Sequence, residues 1–205
     1  LVRDDSHTDE LSALGVSVVL GDATSEEDIK NFISGVKESG EIHAILHCVG
    51  SFAVRPPHAM NKEAFETVIS TNLTSAFLTL SIAGKAMLSQ GHGKMVFMSS
   101  VAGSLGLVNH EAISAAKGGI ESMVRSAAAT YANRGLRINA VAPGLTDTKL
   151  ASPIMSNETA SQAASQKIPI KRVGQKEEVA NVIKWLLTEA PENFTGQILH
   201  TDGGM

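Results

Sequence analysis

Ser114-Ala115-Ala116-Lys117 sets a hydroxyl three residues before an amine, the spacing at which a lysine helps to activate a serine nucleophile. The companion signatures S-D-N and K-T-G are absent, so a serine-hydrolase reading has little behind it. No G-x-G-x-x-G, P-loop, H-E-x-x-H or G-x-S-x-G occurs, and the stock phosphate, metal and nucleophile motifs are silent. The 7 histidines show no helical pair at ligand spacing, and the 1 cysteine, Cys48, excludes an internal disulfide and a multi-cysteine zinc site. His47 and Cys48 are neighbours on a strand-like run and point to opposite faces, so structural filling is favoured over metal binding. What rises above this background is a set of polar residues in register with the apolar segments. Asn72 lies on a long helical stretch, Ser100 ends a strand, Lys117 comes one turn into the next helix, and Pro143-Gly144 with Thr148 follow another strand.

Strand-like and helix-like segments alternate along the chain to position these residues. Val16 to Leu20 reads as a buried strand leaving through Gly21-Asp22, and Thr24-Ser25-Glu26-Glu27 has capping-box spacing ahead of a helix carrying Ile29, Phe32, Ile33 and Val36. His43 to Val49 is a second strand. A helical stretch from about Asn61 to Gln90 follows, then a strand from Lys94 to Met98 and a helix from about Glu111 to Asn133 that stops before Gly135, a left-handed C-cap. Leu136 to Ala142 is a fourth strand, Val179 to Leu187 carries the apolar stripe of a last helix, and Gln197 to His200 is a fifth strand. Apolar strands separated by helices predict an α/β fold with a parallel sheet covered on both faces, which binds ligands at the carboxyl ends of its strands. The segment 150–172 is either a lid over such a site or a surface excursion.

Composition narrows the partners. With 43% apolar and 19% charged residues and a formal net charge of −4, the chain is neither disordered nor collagen-like, and no basic run exists to neutralise nucleic-acid phosphates. The N-terminal LVRDDSHTDE is too polar for a signal peptide, and no apolar stretch is expected to approach the roughly 20 residues that span a bilayer. Nucleic acid and membrane are therefore not expected partners, and the single cysteine fits a reducing cytoplasm.

The set of motifs resembles the short-chain dehydrogenase/reductase family, in the branch that includes 3-oxoacyl-carrier-protein reductases, and the resemblance runs essentially end to end. It is carried by GDAT at 21–24, STNLTSAF at 70–77, VFMSSVAGSLG at 96–106, SAAKGG at 114–119, RINAVAPGLTDT at 137–148, RVGQKEEVA at 172–180 and TGQILHTDGG at 195–204. The resemblance implies one Rossmann-type dinucleotide-binding domain over residues 1–205, with 150–172 as a substrate-binding lid. It implies NADP as cofactor, with NAD as the alternative, because Arg3 falls where NADP-preferring members carry a base, although Asp4 and Asp5 stand beside it. Asp22 and Ala23 are expected at the adenine, Gly50 near the adenosine ribose, and Pro143, Gly144, Thr146 and Thr148 at the nicotinamide and pyrophosphate. His47 and Cys48 stand where the family has asparagines.

By the same resemblance Ser100 polarises the substrate oxygen, Lys117 orients the nicotinamide ribose and Asn72 holds a relay water. The family's general acid is a tyrosine four residues before the lysine and thirteen after the serine, and both counts land on Ile113. Isoleucine has no proton to give, and a positioned acid is worth about 10²–10⁴ in rate. Three readings follow: hydride transfer with a substitute acid, for which His110 is the nearby candidate; a cofactor-binding partner of weak or no activity; or a chemistry needing no acid at that position. Tyr131 lies more than four turns from Ile113 and is excluded.

The leading expectation is an oxidoreductase moving a hydride between NADP(H) or NAD(H) and a small-molecule carbonyl or secondary alcohol, with a 3-oxoacyl thioester as a candidate. A cytoplasmic homo-oligomer, dimer or tetramer, is expected through the helices at about 61–90 and 111–133, and Ala116, Gly118 and Gly119 are candidates for close helix approach between subunits or within one. Since family domains run to about 250 residues, the 205 residues here are expected to lack the first strand, the glycine-rich loop and the first helix, about 30 to 40 residues in all.

Overall fold

A computed structural model describes residues 1–6 and 8–205. Its centre is a four-stranded, all-parallel sheet in the order β1-β2-β3-β6, formed by β1 (Ala44–His47), β2 (Gly93–Met98), β3 (Leu136–Pro143) and β6 (Ile198–Thr201). The α/β class expected from the alternating pattern is what forms. Among the described residues β1 is hydrogen-bonded to another strand only along its β2 edge.

The sheet is covered on both faces because its strands are apolar on both. Met95 and Phe97 of β2, with Ile138 and Ala140 of β3, turn toward α2 (Glu26–Ser39), α4 (Ser75–Gln90) and α5 (Glu111–Tyr131), where they meet Ile33, Leu80, Met87, Ile120 and Val124. The alternate residues Val96 and Val141 turn the other way, onto Val179 and Leu186 of α8 (Lys176–Thr188). This is the two-residue period of a strand read out as two separate cores. Buried Asn139 ties β6 into place, its amide donating to the Phe194 carbonyl and its oxygen accepting from the Gln197 N–H.

Three sequence expectations are corrected. Val16 to Leu20 forms no strand: a single parallel bridge joins Leu20 to Val2, and Val16, Val19 and Leu20 are exposed. A short helix, α1 (Thr8–Ala13), lies between the two bridging residues. The capping box is not at Thr24, because the N-cap of α2 is Ser25, whose Oγ accepts from the Asp28 N–H at 3.2 Å. The stretch from Asn61 to Gln90 is not one regular helix but α3 (Lys62–Ile69), a π-helical turn over Ser70–Thr74 and α4. Over Lys62–Gln90 that combined helix is also long and apolar enough to cross a membrane by length and composition. Its apolar residues Ala76, Leu80, Ala83 and Met87 are instead buried against the sheet and α2. The remaining elements differ from expectation by one or two residues at their ends, and Gly135 takes the left-handed conformation with φ 86°.

Segment 150–172 is largely helical, containing α6 (Ser152–Met155) and α7 (Glu158–Lys167). Its two ends are joined by a small parallel pair, β4 (Thr146–Asp147) with β5 (Gly174–Gln175), so the excursion leaves and returns at one point beside the carboxyl end of β3. Below it Arg172 clamps Glu178 through two hydrogen bonds at 2.9 and 2.6 Å, and Glu178 also caps α8 by accepting from the Gln175 N–H.

Candidate functional site

The strands β1, β2 and β3 all end on one edge of the sheet, and a cavity of about 700 Å³ opens there. Its floor is made by the segments that leave those strands: Cys48 to Ser51 after β1, Ser99-Ser100 after β2 and Gly144 to Thr146 after β3. α7 contributes Ala160, Ala163 and Ala164 from above, so 150–172 covers the cavity. Asn72, Ser100, Lys117, Gly50, Pro143, Gly144, Thr146 and Thr148, expected together from the sequence, all line it.

Asn72 is placed by the irregularity in its helix. Asn72 is the middle residue of the π-helical turn, an irregularity that is common at functional sites. There the Asn72 side chain is wholly buried, with both amide N–H groups and one lone pair of its oxygen engaged. Its Nδ2 donates to the Val68 carbonyl and to Ser51 Oγ, both at 2.9 Å, while its Oδ1 accepts from the Ser51 N–H at 3.2 Å. Ser51 is a partner the sequence did not announce, because a serine after a glycine carries no signal of what it will hold.

Lys117 lies on the inward stripe of α5, with Ile113 one turn before it and Glu121 one turn after. Its ammonium donates to the Met98 carbonyl at 2.8 Å, at the last residue of β2. Burial pulls its pKa down from 10.5 to about 8, with Cys48 acting weakly in the opposite direction. Below it Ser99 Oγ donates to Glu121 Oε1 at 2.9 Å, fixing the strand end against the helix. Ser100 faces the cavity, and its Oγ accepts the Ala102 N–H at 3.2 Å, leaving the hydroxyl proton for a ligand.

Ile113 lines the cavity and packs in a small apolar cluster with Val68, Ala102 and Ala112. His110 also lines it, but outside the helix as the N-cap of α5. Its Nδ1 sits 2.7 Å from the Val108 carbonyl, so in the neutral ring Nδ1 carries the proton and Nε2 has none to give. His47 points away from the cavity, buried with its Nε2 3.0 Å from Ser75 Oγ. Burial, with Lys117 nearby, lowers its pKa to about 4. Cys48 faces the cavity, so the pair does divide between two faces. Among the described residues no three His, Cys, Asp or Glu side chains gather to hold a metal ion.

Arg3, Asp22 and Ala23 do not line the cavity. They lie just beyond the Val2–Leu20 bridge, close enough together that Arg3 helps to hold the Asp22 carboxyl below its usual pKa. The larger cause is Thr24, whose N–H and hydroxyl both donate to Asp22 Oδ1 at 2.8 Å. The small residues of α5 are used within the chain: a Cβ on Gly119 would stand 2.8 Å from Leu73, and one on Gly118 would stand 3.2 Å from the Gly103 carbonyl.

The residues present fit a dinucleotide: glycine at position 50 leaves room beside Asn72 and Lys117, and Gly144, where a Cβ would stand 3.0 Å from the Asp202 backbone, also lines the cavity.

Residues 2–205 match a family model described as enoyl-(acyl carrier protein) reductase. The chain is 36% identical over 185 residues to cis-4-hydroxycyclohexanecarboxylate dehydrogenase of Sinomonas cyclohexanicum, covering 89% of this chain and 74% of that protein. It is 35% identical over 185 residues to the 3-oxoacyl-[acyl-carrier-protein] reductase MabA of Mycobacterium bovis, covering 90% and 74%. Among solved structures, ElxO with NADP bound superposes with a TM-score of 0.91 at 26% identity, covering 98% of this chain and 85% of that one. A short-chain type dehydrogenase/reductase from Mycobacterium ulcerans gives 0.89 at 28% identity, covering 96% and 74%.

Proposed function

The chain belongs to the short-chain dehydrogenase/reductase family, and we propose that it is an oxidoreductase moving a hydride between NADP(H) and a carbonyl or secondary alcohol. The observation that carries this reading is the convergence of Ser100, Asn72, Lys117 and Gly50 on one cavity at the carboxyl ends of parallel strands. NADP is favoured over NAD by Arg3 beside Asp22 at the end of the second bridging segment, and by the NADP held in the related ElxO structure.

The bound nicotinamide would supply or accept the hydride. Ser100 would donate its hydroxyl to the substrate oxygen and polarise the carbonyl. Lys117 has three N–H groups, of which one is spent on Met98, leaving two for a ribose hydroxyl and the reacting centre. Asn72, held rigid by Ser51 and Val68, would position a water at the inner end of the cavity. Gly50, Pro143, Gly144, Thr146 and Thr148 would cradle the cofactor, with Arg3, Asp22 and Ala23 at its adenosine end. The apolar wall made by Ile113, Leu107, Ile154 and Ala160 suits an alkyl or acyl substrate, 3-oxoacyl thioesters included. The reading of a cofactor-holding partner without turnover gains nothing from the relatives, which are dehydrogenases and reductases by name. A cytoplasmic homo-oligomer, dimer or tetramer, completes the proposal, supported by a single free cysteine and by the exposed Phe77 on α4.

Calorimetric titration with NADPH and NADH, followed by nicotinamide absorbance with a panel of ketones and 3-oxoacyl thioesters, tests this. Tighter binding of NADPH and its oxidation with at least one carbonyl are expected. Binding of neither dinucleotide would overturn the reading.

A further inference from the structure

The cavity wall at Ile113 is a hydrocarbon, so the proton required by a nascent alkoxide must come from elsewhere. Each of the other cavity groups is poorly suited. A serine hydroxyl such as that of Ser100 is too weak an acid near neutrality, and the His110 Nδ1–H is held by the Val108 carbonyl. Burial pushes the Cys48 thiol above its ordinary pKa. Tyr131 packs against the main core at the far end of α5.

Lys117 differs in three respects. It sits four residues after Ile113 on the same face of α5. It reaches the cavity from a buried stem, with only 7% of the residue exposed. Its ammonium has one fixed partner, the Met98 carbonyl, and a second approach toward the space at Gly50, whose ideal Cβ would lie 3.5 Å from Nζ.

We propose that Lys117 is itself the general acid of carbonyl reduction, giving the proton that Ile113 cannot give. This rests on the hydride-transfer reading above. In the step, the carbonyl carbon accepts a hydride with its electron pair from the reduced nicotinamide, which is thereby oxidised. The C=O π pair moves to oxygen, and that oxygen takes a proton from Nζ as the N–H bond breaks. The neutral amine regains its proton from water. A pKa near 8 suits the task, since an acid works best when its pKa lies near the operating pH. The titratable groups around Nζ are Cys48 and His47 from the β1 side, with Glu121 further along α5 turned to Ser99. Across the cavity are His110, Lys167 of α7 and Lys176 of α8.

The experiment follows kcat against pH in both directions with the full chain, alongside NADPH calorimetry and 15N NMR titration of the lysine side chains. Reduction should fall about tenfold per pH unit above about 8 while oxidation rises toward the same midpoint, and one lysine resonance should titrate there. Lys117→Arg, a permanent cation, should bind NADPH within a few-fold of the parent yet lose about 10²-fold or more in reduction. The double variant Ile113→Tyr/Lys117→Arg should recover turnover, which separates a lost acid from a damaged fold. Retained reduction in Lys117→Arg, or a rate independent of pH between about 7 and 9, overturns the assignment. A chain that binds NADPH but reduces nothing at any pH overturns it too, while leaving the cofactor site standing. A chain that binds no dinucleotide overturns the underlying reading itself.

Discussion

Gly50 and Asn72 approach so closely that a Cβ on Gly50 would stand 3.0 Å from Asn72 Oδ1. That oxygen is already committed to the Ser51 N–H, and the amide nitrogen to Ser51 Oγ and Val68, so the side chain has no free direction in which to yield. Gly50→Ala should therefore break the Ser51 pairing or displace the loop that forms the cavity floor. A loss of about 1–2 kcal/mol is expected, the cost of leaving one buried polar group unpaired. Calorimetric NADPH affinity should fall by roughly tenfold, since 1.4 kcal/mol is a factor of ten. Urea unfolding and calorimetry on the same preparation check both figures.

The buried Lys117 ammonium sets a second expectation, in stability. Its folded pKa of about 8 lies below the ordinary value of 10.5, so the folded chain gives up this proton more readily than the unfolded one. Between those two values the unfolded state binds more protons, and stability rises with pH across that window. Below about 8 the cost of keeping the charge buried is fully present, about 3 kcal/mol at 1.36 kcal/mol per unit. Lys117→Met removes that cost but orphans the Met98 carbonyl, worth about 1 kcal/mol. The variant should thus be more stable than the parent by about 2 kcal/mol at pH 7, with the advantage gone near about pH 9.5 and turned into a deficit of about 1 kcal/mol above about 10.5, as denaturant titrations at several pH values will show.

Legibility from the sequence followed how local the cause was. The α/β alternation, the buried strands and the grouping of Ser100, Asn72 and Lys117 depended on periodicity and motif order, which are properties of contiguous residues. The π-helical turn at Ser70–Thr74 was not legible, because a helix with one inserted residue keeps almost the same apolar spacing. Val16 to Leu20 read as a strand on its β-branched residues, yet strand formation needs a partner along its length, and among the described residues the pairing is one bridge, Leu20 with Val2, closed by the Val2 N–H on the Val19 carbonyl. The Met98 carbonyl that holds Lys117 was invisible for a different reason, since any residue supplies a backbone oxygen. Gly118 and Gly119 could equally have served an interface or an internal contact, and only the positions of Leu73 and Gly103 decide for the internal one.

Acid should weaken the fold through His47. Its imidazole is 3% exposed, hydrogen-bonds Ser75 through Nε2 and leaves Nδ1 without a partner. Because Ser75 Oγ donates to the Thr71 carbonyl at 2.6 Å, Nε2 must carry the ring proton, and a second proton would be stranded on Nδ1. The folded pKa of about 4 lies below the ordinary 6.5, so the unfolded state takes up the proton first. Stability is whole above about pH 6.5 and falls as pH drops toward 4, by about 3 kcal/mol at the limit. His47→Phe, which keeps a ring beside Phe97, should flatten this part of the curve in unfolding experiments between pH 4 and 7.

Ile113→Tyr tests the cavity wall itself. The isoleucine is 7% exposed and packs on Val68, Ala102 and Ala112, so a larger side chain must turn its far end into the cavity rather than into this cluster. There a phenol would stand on the same helix face as Lys117, one turn away, where the ammonium favours the phenolate and lowers the phenol's pKa. A second acid in that place should raise reduction by up to about 10²-fold, the lower end of what a positioned acid contributes, because the reaction already has a proton source. Removing packing at the same point should do the reverse of stabilising: Ile113→Ala is expected to cost about 2–4 kcal/mol in denaturant unfolding. If the tyrosine variant instead binds NADPH normally and shows no gain with any carbonyl the parent reduces, the cavity does not place the substrate oxygen against this face of α5.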